Sequence, residues 1–237
     1  MNRIYLILLF FFPLASLCQD ALEYDANLDI IRDTTDYLKT IEQSPYNELV
    51  DIVDIVPGIK LDIRYATTNN FTGEKIYSQP RAFARLPVAN ALEIVNKSLN
   101  KHGLGLIVFD AYRPYSATVK FYEVYGDTNY VASPWQGSRH NRGAAVDVSL
   151  IDLETGEEIQ MPTGFDDFSE AANPEYMNLP ENVLKNREIL IYEMQKHGFK
   201  VYPYEWWHFD FIGWEEYDLM DLTFEQLDKV NKKNNDK

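Results

Sequence analysis

Cysteine and histidine are scarce in this chain of 237 residues, which has one cysteine and four histidines. The single cysteine, Cys18, cannot form a disulfide within the chain, and the residues after it offer no thiolate for catalysis or metal binding. Cysteine nucleophiles and thiolate metal sites are therefore excluded from the part that follows Cys18. Any metal site there must use histidine, aspartate or glutamate.

Basic residues are also few: 22 lysines and arginines stand against 37 aspartates and glutamates, a formal net charge of −15. A surface this acidic repels nucleic-acid phosphates and anionic membranes, so we expect no nucleic-acid partner. Hydrophobic residues make up 46% of the chain and aromatic residues 14%. This content is enough for a packed core and excludes a mostly disordered chain.

Long apolar runs are missing except at the start of the chain. Ile4 to Phe12 is apolar, Arg3 precedes it, and Pro13 and small residues follow. The run is shorter than the roughly 20 residues that a transmembrane helix needs, whereas its layout is that of a secretory signal. We therefore predict a signal peptide over residues 1–18, a protein that acts outside the cytoplasm, and no transmembrane helix.

This signal has two alternative endings. Cleavage after Ser16-Leu17-Cys18, a small-x-small pattern, would leave Gln19 as the first residue of a periplasmic or secreted protein. Leu14-Ala15-Ser16-Leu17-Cys18 also resembles a lipobox, in which Cys18 would carry a lipid anchor to a membrane. Leu17 directly before the cysteine is a poor lipobox residue, so simple export is the favoured prediction.

The chain after the signal divides by composition into three parts. Residues 19–50 form an acidic extension, residues 51–222 form one domain that carries the chemistry, and residues 223–237 form a charged tail. Strands and helices alternate irregularly in the domain, and there is neither a nucleotide-binding fingerprint nor an internal repeat. We predict an α+β domain with a small, mainly antiparallel sheet flanked by helices.

The periodicity of apolar residues locates these elements. Alternating or continuous apolar runs indicate strands near residues 59–63, 106–109, 146–150 and 207–211. Apolar faces at helical spacing indicate helices near residues 88–99, 116–125 and 183–194.

His140 and Asp147 lie in the sequence SRHNRGAAVD. On a regular strand these two residues would be roughly 23 Å apart, so they can bind one ion only if the chain turns between them. Gly143 is suited to such a turn, which would bring His140 back over the strand that presents Asp147. The alternative is a surface histidine beside a strand carboxylate.

A second cluster, Glu205-Trp206-Trp207-His208, lies near the end of the chain. Residues three apart on a regular strand face opposite ways, so Glu205 and His208 share a site only if the chain bends before the strand. The preceding Tyr202-Pro203-Tyr204 offers that bend. The alternatives are a satisfied core histidine and a solvated loop glutamate.

Together the two clusters match the requirements of a catalytic zinc site. Such a site has three nitrogen or oxygen ligands, a fourth position for water and a nearby base that activates the water. His140, Asp147 and His208 would bind one zinc ion per chain, and Glu205 would be the base. We therefore predict a zinc hydrolase.

Arg113 is a candidate for the stabilisation of a developing oxyanion. It follows the strand predicted near residues 106–109 and precedes Pro114, which favours an extended backbone at Arg113. An arginine held rigidly at a strand end can reach into a cleft, where it would stabilise negative charge. It could equally pair with Asp110 or with another surface acid.

The other two histidines, His102 and His197, each occupy a Lys-His-Gly sequence at the end of a predicted helix. An imidazole there complements the helix dipole and the last carbonyl groups. We expect both to be structural.

Several sequence blocks, in the same order, resemble the zinc D-alanyl-D-alanine dipeptidases of the kind found in vancomycin resistance. That family belongs to a wider group of zinc peptidases that act on peptidoglycan. The resemblance runs from about residue 53 to residue 211. It rests on Ser138-x-His140-x6-Asp147, on Glu205-x-x-His208, and on the blocks RYATTNNFTG (64–73), DAYRP (110–114) and MPTGFDDF (161–168).

This resemblance implies hydrolysis of the dipeptide D-Ala-D-Ala to D-alanine, with one zinc ion as cofactor. It implies three zinc ligands (His140, Asp147 and His208), a base (Glu205) and a residue that stabilises the tetrahedral intermediate (Arg113). It also implies three residues that recognise the ends of the dipeptide: Tyr65, Ser138 and Asp166, the last of which could be replaced by Asp167. The alternative functions are a D,D-carboxypeptidase or other peptidoglycan peptidase with the same zinc site, and a non-catalytic zinc-binding module.

Overall fold

The structure, a computed structural model, describes residues 24–235 of the chain. The predicted signal peptide, including Cys18, lies outside the described residues. None of the helices within residues 24–235 combines the length and the apolar character needed to cross a membrane.

The described residues contain nine strands and six α-helices, joined by short 3-10 turns. The strands are β1 (Ile30–Ile31), β2 (Leu49–Asp51), β3 (Lys60–Leu61), β4 (Phe83–Arg85), β5 (Leu104–Asp110), β6 (Ala145–Asp152), β7 (Phe199–Tyr202), β8 (Glu205–Phe211) and β9 (Leu219–Met220). The helices are α1 (Thr34–Gln43), α2 (Ile52–Ile55), α3 (Leu86–Asn100), α4 (Tyr115–Tyr125), α5 (Glu181–Lys196) and α6 (Phe224–Asn235).

A five-stranded sheet in the order β3-β5-β6-β8-β7 forms the centre of the molecule. Only the β3–β5 pair is parallel, and the other three pairs are antiparallel. Strand β6 lies in the middle and is buried at every position except Asp152. All four predicted strands lie in this sheet, although the one predicted near residues 59–63 is reduced to Lys60–Leu61.

Helices α3 and α5 pack against the sheet through the apolar faces that the sequence indicates. Proline occupies the first turn of α3, where its missing N–H costs no intrahelical hydrogen bond. The buried face of α3 includes Val88, Leu92, Val95 and Leu99. The prediction of an α+β domain with a mainly antiparallel sheet flanked by helices is confirmed.

The acidic extension before residue 51 is folded onto the domain. Asp33 caps α1 by accepting hydrogen bonds from the backbone N–H groups of Thr35 and Asp36. The buried Tyr37 hydroxyl accepts a 2.6 Å hydrogen bond from the N–H of Leu49. Strand β1 pairs in parallel with β9, so the extension forms a small sheet with a strand from near the other end of the chain.

Residues 223–237, predicted as a charged tail, include helix α6. Phe224, Leu227 and Val230 recur at helical spacing and are buried in the main core. Residues 224–230 therefore pack on the domain through these three apolar side chains, which lie on one face of the helix.

Candidate metal centre

The three predicted metal ligands lie together and are buried. His208 Nδ1 is 3.0 Å from Asp147 Oδ1, His140 Nε2 is 3.4 Å from the same oxygen, and the two ring nitrogens are 3.1 Å apart. One ligand atom from each residue lies within 4.8 Å of the other two. The fold therefore brings two imidazoles and a carboxylate to one point, although His208 is far from the other two residues in the chain.

Strand register and one tight turn produce this arrangement. Asp147 on β6 pairs directly with His208 on β8, so their side chains project from the same face of the sheet. His140 begins a 3-10 turn that ends at Gly143, which has a φ of +67° and donates its N–H to the His140 carbonyl. A Cβ at Gly143 would lie 2.4 Å from Leu49 Cδ2, so any other residue would have to displace Leu49 and adopt a strained positive φ. The predicted turn at Gly143 is confirmed.

Hydrogen bonds on the outer side of each ring fix which nitrogen faces the site. His140 Nδ1 lies 2.7 Å from the carbonyl oxygen of Ala111, and His208 Nε2 lies 2.9 Å from Asp210 Oδ1. Metal-binding histidines typically make such a contact with the nitrogen that does not bind the ion. His140 Nε2 and His208 Nδ1 are therefore directed at Asp147.

The electrostatics of the pocket favour a cation. Burial raises the pKa of Asp147, but the neighbouring His140 and His208 lower it by more than burial raises it. The pKa is therefore below its ordinary value, and the carboxylate is ionised. Burial would lower the pKa of His208, yet Asp147 and Asp210 raise it to about 10. The Asp147 Oδ1 atom is also buried without a hydrogen bond among the described residues. A divalent ion would satisfy this oxygen, and the nitrogen and oxygen donor set fits zinc.

Glu205 lies next to this group at the start of β8. The pairing of β7 with β8 is irregular after Val201, and Glu205 stands opposite Tyr202 across the short turn at Pro203 and Tyr204. Glu205 Oε2 lies 3.8 Å from His208 Nδ1. The predicted bend is present just before Glu205, whereas Glu205 itself is the first residue of β8 and not part of the bend. Burial raises the pKa of Glu205 to about 8.

Arg113 forms an ion pair with Asp110, the alternative that the sequence left open, and also lines the cavity. Its Nε and Nη2 lie 2.9 and 2.8 Å from Asp110 Oδ2, and Nη2 is 3.9 Å from Asp147 Oδ2. The Tyr77 hydroxyl donates to the same Asp110 carboxylate at 2.9 Å. Asp110 and Tyr77 therefore hold the guanidinium in place, and no motif identified either as an orienting residue.

Asp166 and Tyr65 form a second polar pair near Arg113. The Tyr65 hydroxyl donates a 2.9 Å hydrogen bond to Asp166 Oδ1, whereas Asp166 Oδ2 is buried and makes no hydrogen bond within the described residues. Burial raises the pKa of Asp166 to about 7. The neighbouring Asp167 is exposed, and its carboxylate caps the N–H of Ser169 instead. Of the two candidates, Asp166 is the one that faces the site.

The loop that carries Asp166 is anchored at two points. Trp206 Nε1 donates a 2.9 Å hydrogen bond to Thr163 Oγ1, and the Phe165 ring packs edge-to-face on Trp207 at 5.7 Å. At Asp166 itself the backbone has a φ of +62°, the only positive φ outside glycine in the described residues. The loop is therefore held in one conformation that turns the carboxylate inward.

Ser138 completes the predicted set. It is buried, and its hydroxyl oxygen accepts a 3.2 Å hydrogen bond from the N–H of His140. The hydroxyl proton remains available to a ligand. His102 and His197 do not line the cavity around these residues, and their structural role stays a prediction.

All eight predicted site residues line one cavity of about 510 Å³, a volume typical of small-molecule sites. The cavity wall also contains residues that the sequence analysis missed, notably Tyr130, Arg139, Phe168, Tyr202 and Trp214. Arg139 and Phe168 lie within motifs that the sequence analysis used for other residues, whereas Tyr130, Tyr202 and Trp214 belong to none of the blocks that carry the resemblance. Only the fold shows that the five share one cavity.

A family model described as D-ala-D-ala dipeptidase matches residues 45–227. The chain is 34% identical over 177 residues to a D-alanyl-D-alanine dipeptidase of Escherichia coli, a match covering 75% of this chain and 91% of that protein. The enzyme of the same name from Enterococcus faecium is 30% identical over 176 residues, covering 66% and 87%. The corresponding Streptomyces coelicolor enzyme is 31% identical over 179 residues, also covering 66% and 87%. The chain therefore belongs to the D-ala-D-ala dipeptidase family and is a zinc metallopeptidase.

Proposed function

We propose that this protein hydrolyses the dipeptide D-alanyl-D-alanine to two molecules of D-alanine. The observation that carries the proposal is a single cavity that joins the His140–Asp147–His208 group to a buried acidic oxygen without a partner, Asp166 Oδ2. Such an oxygen suits an ammonium group. A free dipeptide carries its ammonium group one residue away from the peptide bond that is cut.

His140, Asp147 and His208 would hold the zinc ion. When bound, zinc supplies a Lewis acid that polarises the peptide carbonyl and makes water acidic enough to react near neutral pH. The roles of the other residues follow from their chemistry and from their places around the cavity.

Glu205 is the proposed base. Its carboxylate accepts a proton from water, the water oxygen bonds to the carbonyl carbon, and the carbon–nitrogen bond of the tetrahedral intermediate then breaks. Glu205 returns its proton to the departing amine. A carboxyl with a pKa raised by burial suits both steps, since it binds and releases a proton readily near neutral pH.

Arg113 is proposed to stabilise the negative oxygen of that intermediate. Its guanidinium is held by Asp110 and does not have to reorganise during the reaction, which is the condition under which a fixed charge lowers a barrier most. Tyr65 and Asp166 would bind the substrate ammonium, and the Ser138 hydroxyl would donate to the substrate carboxylate.

One assay tests this proposal against the alternatives. Zinc-loaded protein should cleave D-Ala-D-Ala, but neither L-Ala-L-Ala nor N-acetyl-D-Ala-D-Ala at a comparable rate. Rapid cleavage of the acetylated dipeptide or of a muramyl pentapeptide ending in D-Ala-D-Ala would select a carboxypeptidase instead. Zinc binding without cleavage of any of these peptides would favour a non-catalytic module.

We also propose that the protein is exported. The support is the sequence of residues 1–18, with Arg3 before the apolar run and small residues after it. Mass spectrometry of the protein from a cell-envelope fraction distinguishes the two endings, since one starts at Gln19 and the other carries lipid on Cys18. An intact Met1 in a cytoplasmic fraction would contradict export.

A further inference from the structure

Two arginines in the cavity wall have no part in the proposed mechanism: Arg139 and Arg142. The guanidinium of Arg142 is occupied, because its Nη1 donates to the carbonyl oxygen of Tyr217. The guanidinium of Arg139 forms no hydrogen bond with any residue in the range 24–235. Its only carboxylate neighbour there is Asp210, with Nε 3.6 Å from Oδ2, and 38% of its side chain is exposed.

Two aromatic rings hold the Arg139 guanidinium in place. Its central carbon lies 5.0 Å from the centre of the Trp214 ring and 5.7 Å from that of Tyr202. Aromatic contacts of this kind orient a guanidinium without using its N–H groups. The edge of the group stays free for an acceptor, and a carboxylate matches it with two parallel hydrogen bonds.

Contacts link Arg139 and Asp166 to different members of the metal-binding group. From Asp147, the contacts lead through Arg113 to the Tyr65 ring, 5.5 Å from the guanidinium carbon, and so to Asp166. From His208, on the other side, they lead through Asp210 to Arg139. One chain of contacts thus ends at a carboxylate oxygen without a hydrogen bond within the described residues, the other ends at the Arg139 guanidinium, and both residues line the same cavity.

This polarity matches a dipeptide zwitterion, whose ammonium and carboxylate groups each lie one residue from the peptide bond. We propose that Arg139 binds the C-terminal carboxylate of the substrate and makes a free carboxylate a condition of efficient cleavage. The inference rests on the proposed dipeptidase function and adds to it the residue that recognises the second end. Ser138, the preceding residue, would donate its hydroxyl to the same carboxylate.

The nearby Asp210 does not remove this role. Its Oδ1 is engaged by His208 Nε2 at 2.9 Å, so its charge is shared with the imidazole as well as with Arg139. A substrate carboxylate and Asp210 can therefore use different N–H groups of one guanidinium, which has five.

The test compares D-Ala-D-Ala with its C-terminal amide, D-Ala-D-alaninamide. The unmodified zinc-loaded enzyme should prefer the acid, mainly through KM. Arg139→Gln should lower kcat/KM for the acid about 10- to 100-fold and leave that for the amide nearly unchanged, so that the preference collapses. Arg139→Lys should restore part of the preference, because lysine keeps the positive charge but lacks the planar guanidinium that makes two parallel hydrogen bonds. Lys200→Gln, which removes an exposed cation from the groove beside Arg139, is the matched control and should change neither rate.

A binding measurement provides a second readout. In zinc-loaded Glu205→Ala protein, calorimetry should show that Arg139→Gln weakens binding of D-Ala-D-Ala about 10- to 100-fold without affecting the amide. An equal loss of kcat for acid and amide, or a loss of zinc, would mean that Arg139 acts on His208 through Asp210 and would overturn the proposal. Unmodified enzyme that cleaves acid and amide equally would also overturn it. Failure of the unmodified enzyme to cleave D-Ala-D-Ala at all would instead reject the dipeptidase function.

Discussion

Asp147 and His208 face each other across neighbouring antiparallel strands, with Asp147 Oδ1 3.0 Å from His208 Nδ1. Because side chains alternate between the faces of a strand, a shift of one residue in this register would send one of the two to the opposite face. The pairing of β6 with β8 is thus a requirement of the metal site as well as of the core.

We expect one zinc ion per chain, and we expect His140→Ala, Asp147→Ala and His208→Ala each to lose most of it. Each change removes one of three ligands, and two ligands do not hold the ion tightly. Metal analysis after dialysis measures the occupancy. His102→Ala, at an exposed helix end, is the control and should keep full zinc. Full occupancy in all three variants would show that the ion binds elsewhere.

Glu205→Ala should keep the zinc but lower kcat about 10²- to 10⁴-fold, since it removes proton transfer and leaves the ligands intact. Turnover of D-Ala-D-Ala and metal content must be measured on the same preparation. Glu157→Ala, which changes an exposed glutamate, should match the unmodified enzyme. Release of zinc from the Glu205 variant would identify Glu205 as a ligand instead of a base.

Asp166→Asn should lower kcat/KM for D-Ala-D-Ala about 10- to 150-fold, because it removes a charged contact with the ammonium group. Asparagine has nearly the same shape and tolerates the positive φ at this position. Steady-state kinetics provide the measurement, with Asp167→Asn as the matched control. Equal losses in both variants would mean that the effect is one of general surface charge.

The same substitution should stabilise the metal-free protein at alkaline pH. The pKa of Asp166 is about 7 in the folded protein against an ordinary value of 3.8, so the folded state holds this proton more tightly. Ionisation of Asp166 therefore costs stability progressively as the pH rises from about 4 to 7, up to about 4 kcal/mol. An asparagine avoids that cost.

Urea unfolding of the unmodified protein and of Asp166→Asn at pH 4 and pH 8 measures this difference. We expect similar stability at pH 4, where the aspartate is protonated, and a more stable variant at pH 8. A variant that is less stable at pH 8 would contradict the unfavourable burial of the charge.

Gly143→Ala should destabilise the fold and weaken zinc binding, since it strains the turn that presents His140. A positive φ costs about 1–2 kcal/mol for alanine, and the contact with Leu49 adds about 1–3 kcal/mol. Gly73→Ala separates these terms, because Gly73 has a φ of +68° but open space around its Cβ position. Thermal unfolding that shifts equally in both variants would argue against the Leu49 contact.

The metal ligands could be predicted from the sequence because their residue types and spacings are specific to the chemistry. His140 and Asp147 need a turn between them, and Gly143 provides a local signal for it. The fold class could be predicted from periodicity for a similar reason. These features depend on residues close together in the chain.

Other parts of the site depend on long-range contacts that leave no local signal. Arg139, Tyr202 and Trp214 come together only because the turn at Gly143, the end of β7 and the segment after β8 meet at one edge of the sheet. The helix α6 escaped prediction because charge dominates the composition of residues 223–237, although three apolar residues at helical spacing were present.

The pairing of β1 with β9 affects how this enzyme should be produced and trimmed. Leu219 on β9 packs against Gly137, directly before Ser138, and Tyr24 packs edge-to-face on Trp135 in the same loop. A fragment cut to the family-matched region, residues 45–227, would lose Tyr24 and β1 at one end and most of α6 at the other. We therefore expect a working version of the protein to need residues beyond the family boundaries on both sides, and expression vectors should include them.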